Sequence, residues 1–280
     1  MQKGLTDIHT HSYYSFDSET PLAEMLESAY QKGVVFYGVA EHFDCDQYFL
    51  PQWQSKRKIN PEKYFHEARH LQEDYEGAMH VLIGAEFGYS DAENTKQAYQ
   101  TIVEKYRPDF VVNSLHTLNG VNEYSDGSSF YKVDEDGQKI LRDRLEVFRE
   151  YFAFIRRSLD VPYHYDIVAH IGYATRYSPY AEKGLPLKEL SSELDDILTT
   201  IIQKGKILEV NSSINELCMP STAVLKRYFD LGGRQISFAS DAHDPSRIMK
   251  KREEVVAELK KIGFTYLTVP YKGEYIQVEI

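Results

Sequence analysis

"LTDIHTHSYYSFDSETP", residues 5–21, begins as an apolar strand and ends on a helix-start signal, with Asp7, His9 and His11 spaced two apart in between. Side chains at i and i+2 of a strand share a face, with backbones about 6.6 Å apart. Two imidazoles at that spacing can lean across to grip one ion. Thr20 and Pro21 then mark a helix start, Leu22, Met25, Leu26 and Ala29 give that helix an apolar face, and Gly33 ends it. One strand followed by one helix is the unit that recurs along the rest of the chain.

Six further β-rich runs, "VVFYGVAEH", "HVLIGAEFGY", "DFVVNSLH", "DIVAHIG", "KILEVNSS" and "QISFASDAH", alternate with longer amphipathic stretches. Seven strand-then-helix units in succession predict an α/β fold with a parallel sheet and crossover helices, and the count suits closure into a barrel. With 280 residues and 42% hydrophobic content the chain can bury the core of such a barrel, and no repeat, low-complexity tract or linker divides it. A single domain over residues 1–280 is the expectation. Residues 119–138, "NGVNEYSDGSSFYKVDEDGQ", read as a long loop after the fourth strand, a lid or substrate wall. The tail "FTYLTVPYKGEYIQVEI" reads as one or two closing strands.

A net charge of −11 disfavours a broad surface for nucleic-acid phosphates, so no nucleic-acid partner is expected. The basic cluster 247–252 in "SRIMKKRE" reads as a solvated helix face. Apolar runs such as 34–40 fall far short of the roughly 20 residues of a membrane helix, and the start of the sequence lacks a signal-peptide pattern. No membrane partner and a soluble, cytoplasmic protein are expected. Cys45 and Cys218 fit no disulfide framework, which agrees with a reducing compartment.

In a buried parallel strand ionisable residues are costly unless paired or metal-bound. Here they gather at one end of each run. The first run ends in His9 and His11, the second in Glu41 and His42, the third reaches Glu86, the fourth His116, the fifth His170, and the seventh Asp241 and His243. Six of the ten histidines thus fall at strand C-terminal ends, which converge on one face of an α/β barrel. Imidazole with carboxylate is the ligand set of zinc, iron or manganese. His66, His70, His80 and His164 lie on helical or connecting segments and read as ordinary.

The ordered motifs "DIHTHS", "AEHFD", "IGAEF", "NSLHTL", "VAHIGYATRY" and "ASDAHDPSRI" resemble those of the PHP (polymerase and histidinol phosphatase) family, in particular its histidinol-phosphate phosphatase branch. The resemblance runs from residue 6 to about 250 and implies a distorted TIM-like (β/α)7 barrel with two or three divalent ions at the strand ends. It makes His9, His11, Glu86 and Asp241 ligands of one ion, with Glu86 bridging to a second held by His116 and His170. A third ion falls to Asp17, His42 and His243, where many relatives carry histidine in place of Asp17. Zinc is the expected metal, with iron or manganese as alternatives.

Three carboxylates among these ligands, against two or three divalent ions, suggest a positive pocket for a phosphate monoester. The resemblance also assigns Arg176 to phosphate, where a guanidinium fork suits two oxygens; Arg247 and Ser240 are further candidates for substrate binding. No Cys-x5-Arg nucleophile, Asp-nucleophile pair or P-loop is present. The implied chemistry is metal-dependent hydrolysis of a small phosphate ester, L-histidinol phosphate, in histidine biosynthesis, by a hydroxide bridging two ions. Asp241 and His243 are the candidate proton donors to the leaving oxygen, and Tyr13, Tyr14, Trp53 and Tyr124 offer aromatic partners for the rest of the substrate. The alternatives are a PHP phosphoesterase acting on nucleotides, sugar phosphates or phosphotyrosine proteins, and an inactive metal-stabilised scaffold. A metal-dependent amidohydrolase shares the His-x-His opening but needs a strand-borne lysine that is absent from these strand ends.

Overall fold

In the computed structural model, which describes residues 2–45, 57–118, 122–123 and 127–280, each of the seven apolar runs forms a strand. These are β1 Leu5–Asp7, β2 Val34–His42, β3 His80–Gly88, β4 Phe110–Ser114, β5 Ile167–Val168, β6 Ile207–Asn211 and β7 Ile236–Ala239. They lie in chain order in one parallel sheet. Parallel neighbours need crossovers, supplied by α1 Leu22–Gln31, α2 Pro61–Asp74, α3 Glu93–Tyr106, α4 Arg144–Ser158, α5 Ser191–Gln203 and α6 Thr222–Asp230, while α7 Arg252–Ile262 follows the last strand.

The sheet curls until its edges meet. Ile8 N–H donates to Phe238 O at 3.0 Å and Asp241 N–H to His9 O at 2.9 Å, so the seam closes just beyond the regular ends of β1 and β7. The result is the expected distorted (β/α)7 barrel. Burial on both faces explains the unbroken apolar runs: in β2, Tyr37 and Val39 pack toward the helices, whereas Phe36 and Ala40 join the barrel interior. Gly84 in β3 is required by that interior, since a Cβ there would stand 2.5 Å from the Phe110 ring.

The tail forms an antiparallel hairpin, β8 Tyr266–Tyr271 with β9 Glu274–Glu279. Its Val269 and Val278 pack with Phe36, Leu82 and Phe110 and seal the end of the barrel where the strands begin.

Two expectations change. The 119–138 segment is more than an irregular loop, because Ser128–Phe130 form a 3-10 turn and Tyr131–Val133 pair with Lys139–Leu141 in a second hairpin. Residues 119–121 and 124–126 lie outside the described residues, as do Trp53 and Tyr124. The basic cluster is not one helix face either. Pro245–Arg247 is a 3-10 turn, Lys251 has a left-handed φ of 56°, and α7 starts only at Arg252. Among the described residues, no helix is long and apolar enough to cross a membrane.

Candidate metal centre

At the C-terminal rim of the barrel the ionisable groups meet around Glu86, which β3 holds fully buried. Its Oε1 lies 3.0 Å from His170 Nε2, 3.1 Å from His116 Nε2 and 3.4 Å from His9 Nε2. Oε2 lies 2.7 Å from His42 Nδ1 and 3.7 Å from His11 Nε2. Five imidazoles therefore crowd one carboxylate.

Beside this knot, His9 Nε2 and His11 Nε2 face each other at 3.1 Å, with Asp241 Oδ1 3.1 Å from His11 Nε2. Farther out, Asp17 Oδ2 is 3.2 Å from His243 Nε2, and Asp17 Oδ1 is 3.6 Å from His42 Nε2. Three sets of donor atoms are close enough to share an ion: His9, His11 and Asp241; His42, Glu86 and His116; and His11, His42 and His243. The first fits the grouping implied by the resemblance. The other two divide the same rim differently, placing His42 beside Glu86 and His116, and His11 beside His42 and His243.

Local backbone explains how the candidate ligands turn inward. His9 and His11 lie in an extended stretch that Thr10 ties to Ala242, so the i, i+2 geometry operates there. Asp241 and His243 have the same spacing but not the same cause, because Asp241 lies past β7 with φ 51°. His170, past β5, has φ 63°. Left-handed backbone at non-glycine residues costs about 1–3 kcal/mol and persists where the surroundings enforce it.

Burial favours neutral imidazoles, and the carboxylates oppose it. For His9, burial is outweighed by Glu86 and Glu209, which hold it well above the ordinary histidine value. His42 is likewise raised by Glu86 and Asp17, and His116 is pushed up to about 10 by Asp44 and Glu86. His11 goes the other way: burial, with His243 and His42 beside it, brings it down to about 3. Despite burial, Glu86 is held well below the carboxylate range by His9, His116 and His42.

The residues fit a cluster of divalent cations. Glu86 Oε2, His42 Nδ1, His170 Nδ1 and His243 Nε2 are buried without a well-aligned hydrogen bond, and the nitrogen and carboxylate donors suit zinc, iron or manganese. The charge balance differs from the sequence expectation, however. Asp44 and Glu209 also reach the cup, Asp44 at 2.8 Å from His116 Nδ1 and Glu209 at 2.5 Å from His9 Nδ1. Five carboxylates against two or three divalent ions leave the cup at about −1 or +1, not clearly positive.

Arg176 lies in the 3-10 turn Tyr173–Tyr177, exposed, with its guanidinium 5.5 Å from the centre of the Tyr177 ring and no ion pair among the described residues. Arg247 is committed to Asp244 at 3.2 Å, and Ser240 is buried with its N–H donating to Asp7. Of the aromatic candidates, Tyr13 lies under Arg57 at 4.0 Å and Tyr14 donates to Glu67.

Three further groups, which the strand-end pattern does not single out, support the rim. Glu209 stands inside β6, Asp44 two residues past the end of β2, and Arg57 donates to the carbonyls of Ser15 and Ser18 on either side of Asp17. A carboxylate inside the apolar run "KILEVNSS" was the available signal for Glu209. Nothing in the sequence links Arg57 to a turn some 40 residues earlier.

Residues 7–213 match the family model described as the PHP domain. A "Probable histidinol-phosphatase" of Clostridium acetobutylicum is 28% identical over 240 residues, covering 85% of this chain and 86% of the relative. The histidinol-phosphatase of Lactococcus lactis subsp. lactis is 27% identical over 265 residues, covering 92% and 91%. A crystal structure of histidinol phosphate phosphatase from the same organism, complexed with zinc, L-histidinol and phosphate, is similar with a TM-score of 0.81 at 25% identity, covering 99% of this chain and 100% of that one.

Proposed function

The chain belongs to the PHP domain family, and from that premise we propose that it is a metal-dependent phosphoric monoester hydrolase converting L-histidinol phosphate to L-histidinol and phosphate. The observation that carries the substrate is the full-length likeness to the Lactococcus lactis structure holding zinc, L-histidinol and phosphate, joined to a rim whose donors fit such ions. The ions would be held by His9, His11, Asp17, His42, Glu86, His116, His170, Asp241 and His243. When bound, divalent ions lower the pKa of water and offset charge on phosphoryl oxygens.

The chain's own groups do the remaining work. Arg176 grips phosphate through its exposed guanidinium fork. Asp241 is held well below the carboxylate range, against burial, by His11 and His9, so it is ionised at neutral pH and suited to ligation, not proton donation. That leaves His243, 22% exposed at the rim with Nε2 3.2 Å from Asp17 Oδ2, as the candidate proton donor; in that role its ring carries the proton and is not an ion ligand at the same time. Neither cysteine serves as nucleophile in this reading: burial pushes the Cys218 thiol up to about 11, and Cys45 is buried.

The deciding experiment is a panel of phosphate monoesters assayed after chelation and reloading with zinc, iron or manganese. Histidinol phosphate is expected to give the highest kcat/KM, and turnover of nucleotides with none of histidinol phosphate would overturn the assignment. In oxygen-18 water a single turnover should place label in the released phosphate; unlabelled phosphate would rule out direct attack by solvent oxygen. Arg176→Ala should lower kcat/KM about 10–100-fold, the range of a lost charged hydrogen bond.

A further inference from the structure

We propose that Glu209 is a positioning residue shared by two ion sites, fixing His9 and His170 so that both present Nε2 toward Glu86, where the ions would be held. This rests on reading the rim as a metal centre. Glu209 is 1% exposed and its two oxygens are divided between the two rings. Oε1 takes the Nδ1–H of His9 at 2.5 Å, and Oε2 lies 3.3 Å from His170 Nδ1, within reach though off the axis of a good hydrogen bond. The rings stack nearly parallel, 18° apart with centroids at 5.8 Å. Their opposite nitrogens both face Glu86 Oε1, at 3.4 and 3.0 Å.

An imidazole that gives its Nδ1 proton to a carboxylate keeps the Nε2 lone pair for a metal, and such outer partners raise ligand basicity and fix ring orientation. What is unusual is that one outer carboxylate serves ligands assigned to different ions. A further link runs through Asn211, whose amide donates to Glu209 Oε2 at 3.1 Å and to Asp241 Oδ2 at 3.2 Å. Glu209 therefore touches, directly or through one amide, three of the proposed ligands.

The shape-preserving change Glu209→Gln leaves one acceptor and one donor where two acceptors stood, so only one ring can keep its Nδ1–H bond. In equilibrium competition against a chelator, with metal content counted by mass spectrometry, E209Q is expected to bind zinc about 10–100-fold more weakly than the parent. Histidine-selective nitrogen-15 NMR of the zinc-loaded parent should show His9 and His170 protonated at Nδ1 and metallated at Nε2, and E209Q should lose that signature on one ring. This second measurement decides the matter even if E209Q fails to fold. The proposal is overturned if E209Q holds zinc as tightly as the parent, or if either ring of the parent is metallated at Nδ1. A parent that binds no zinc would instead break the metal-centre reading itself.

Discussion

The two ends of the barrel are built from the same seven strands and could hardly differ more. Where the strands begin, Phe36, Leu82, Phe110, Val269 and Val278 form an apolar floor sealed by the β8–β9 hairpin. Where they end, six imidazoles and five carboxylates share a rim that is largely buried except at Asp17 and His243. The floor lowers free energy by burying hydrocarbon, at about 25 cal/mol per Å². The rim spends some of that stability on crowded ionisable groups and left-handed backbone at His170 and Asp241. The lesson is a division of labour along each strand, with one end holding the fold and the other holding charges in reach of a substrate.

That contrast can be broken from either side. Glu86→Gln should cost activity most, about 10³-fold or more in kcat/KM, because it removes the carboxylate at the centre of five imidazoles and with it the several kcal/mol of charge stabilisation that ions provide. Zinc content should fall with it, while the cooperative unfolding of chelated protein persists. Phe110→Ala is the converse. It should cost about 3–5 kcal/mol in denaturant titrations while leaving kcat per folded molecule unchanged, and a comparable loss of kcat would show that the ends are not independent.

A subtler test adds a methyl group at the rim. A Cβ on Gly88 would stand 1.7 Å from Asp44 Oδ1, so Gly88→Ala must push that carboxylate off His116. A cost of about 1–3 kcal/mol and weaker zinc binding are expected, and unchanged zinc affinity would show that Asp44 does not support the site. The smallest effect concerns protons. Burial works against it, yet Asp44 and Glu86 keep His116 protonated up to about pH 10 in the metal-free cup, and His9 and His42 are raised as well. Ions must displace these protons, so zinc uptake at pH 7 should acidify a weakly buffered solution, and affinity should rise with pH by up to about tenfold per unit for each proton displaced. An indicator dye and a zinc titration at two pH values check both.

The barrel was legible because its strands are apolar on both faces and its helices on one, so the two periods alternate cleanly along the chain. The rim was legible for a related reason: an imidazole or carboxylate at the end of an apolar run has no reason to be there unless something pairs with it. Glu209 lies in the middle of an apolar run and not at its end, so the pattern of strand-end ligands does not include it, although a carboxylate buried on both faces needs a partner. Asp44 sits just past a strand and resembles any polar loop residue. The segment 119–138 was read by its glycine, serine and aspartate content, which hid the hairpin that Asp134 nucleates by accepting from the Gln138 N–H at 2.6 Å. The shared spacing of His9–His11 and Asp241–His243 was visible, but the turn at Asp241 that makes the second pair work was not.

The β8–β9 hairpin has one more consequence, for the birth of the molecule. It is translated after all seven barrel strands, roughly 40 residues behind Ala239, which at 5–20 residues per second is a delay of roughly 2–8 s. During that interval Phe36, Leu82 and Phe110 lack the cover of Val269 and Val278. Until the hairpin docks, the hydrocarbon base of the nascent barrel is the surface it would offer to a chaperone at the ribosome exit.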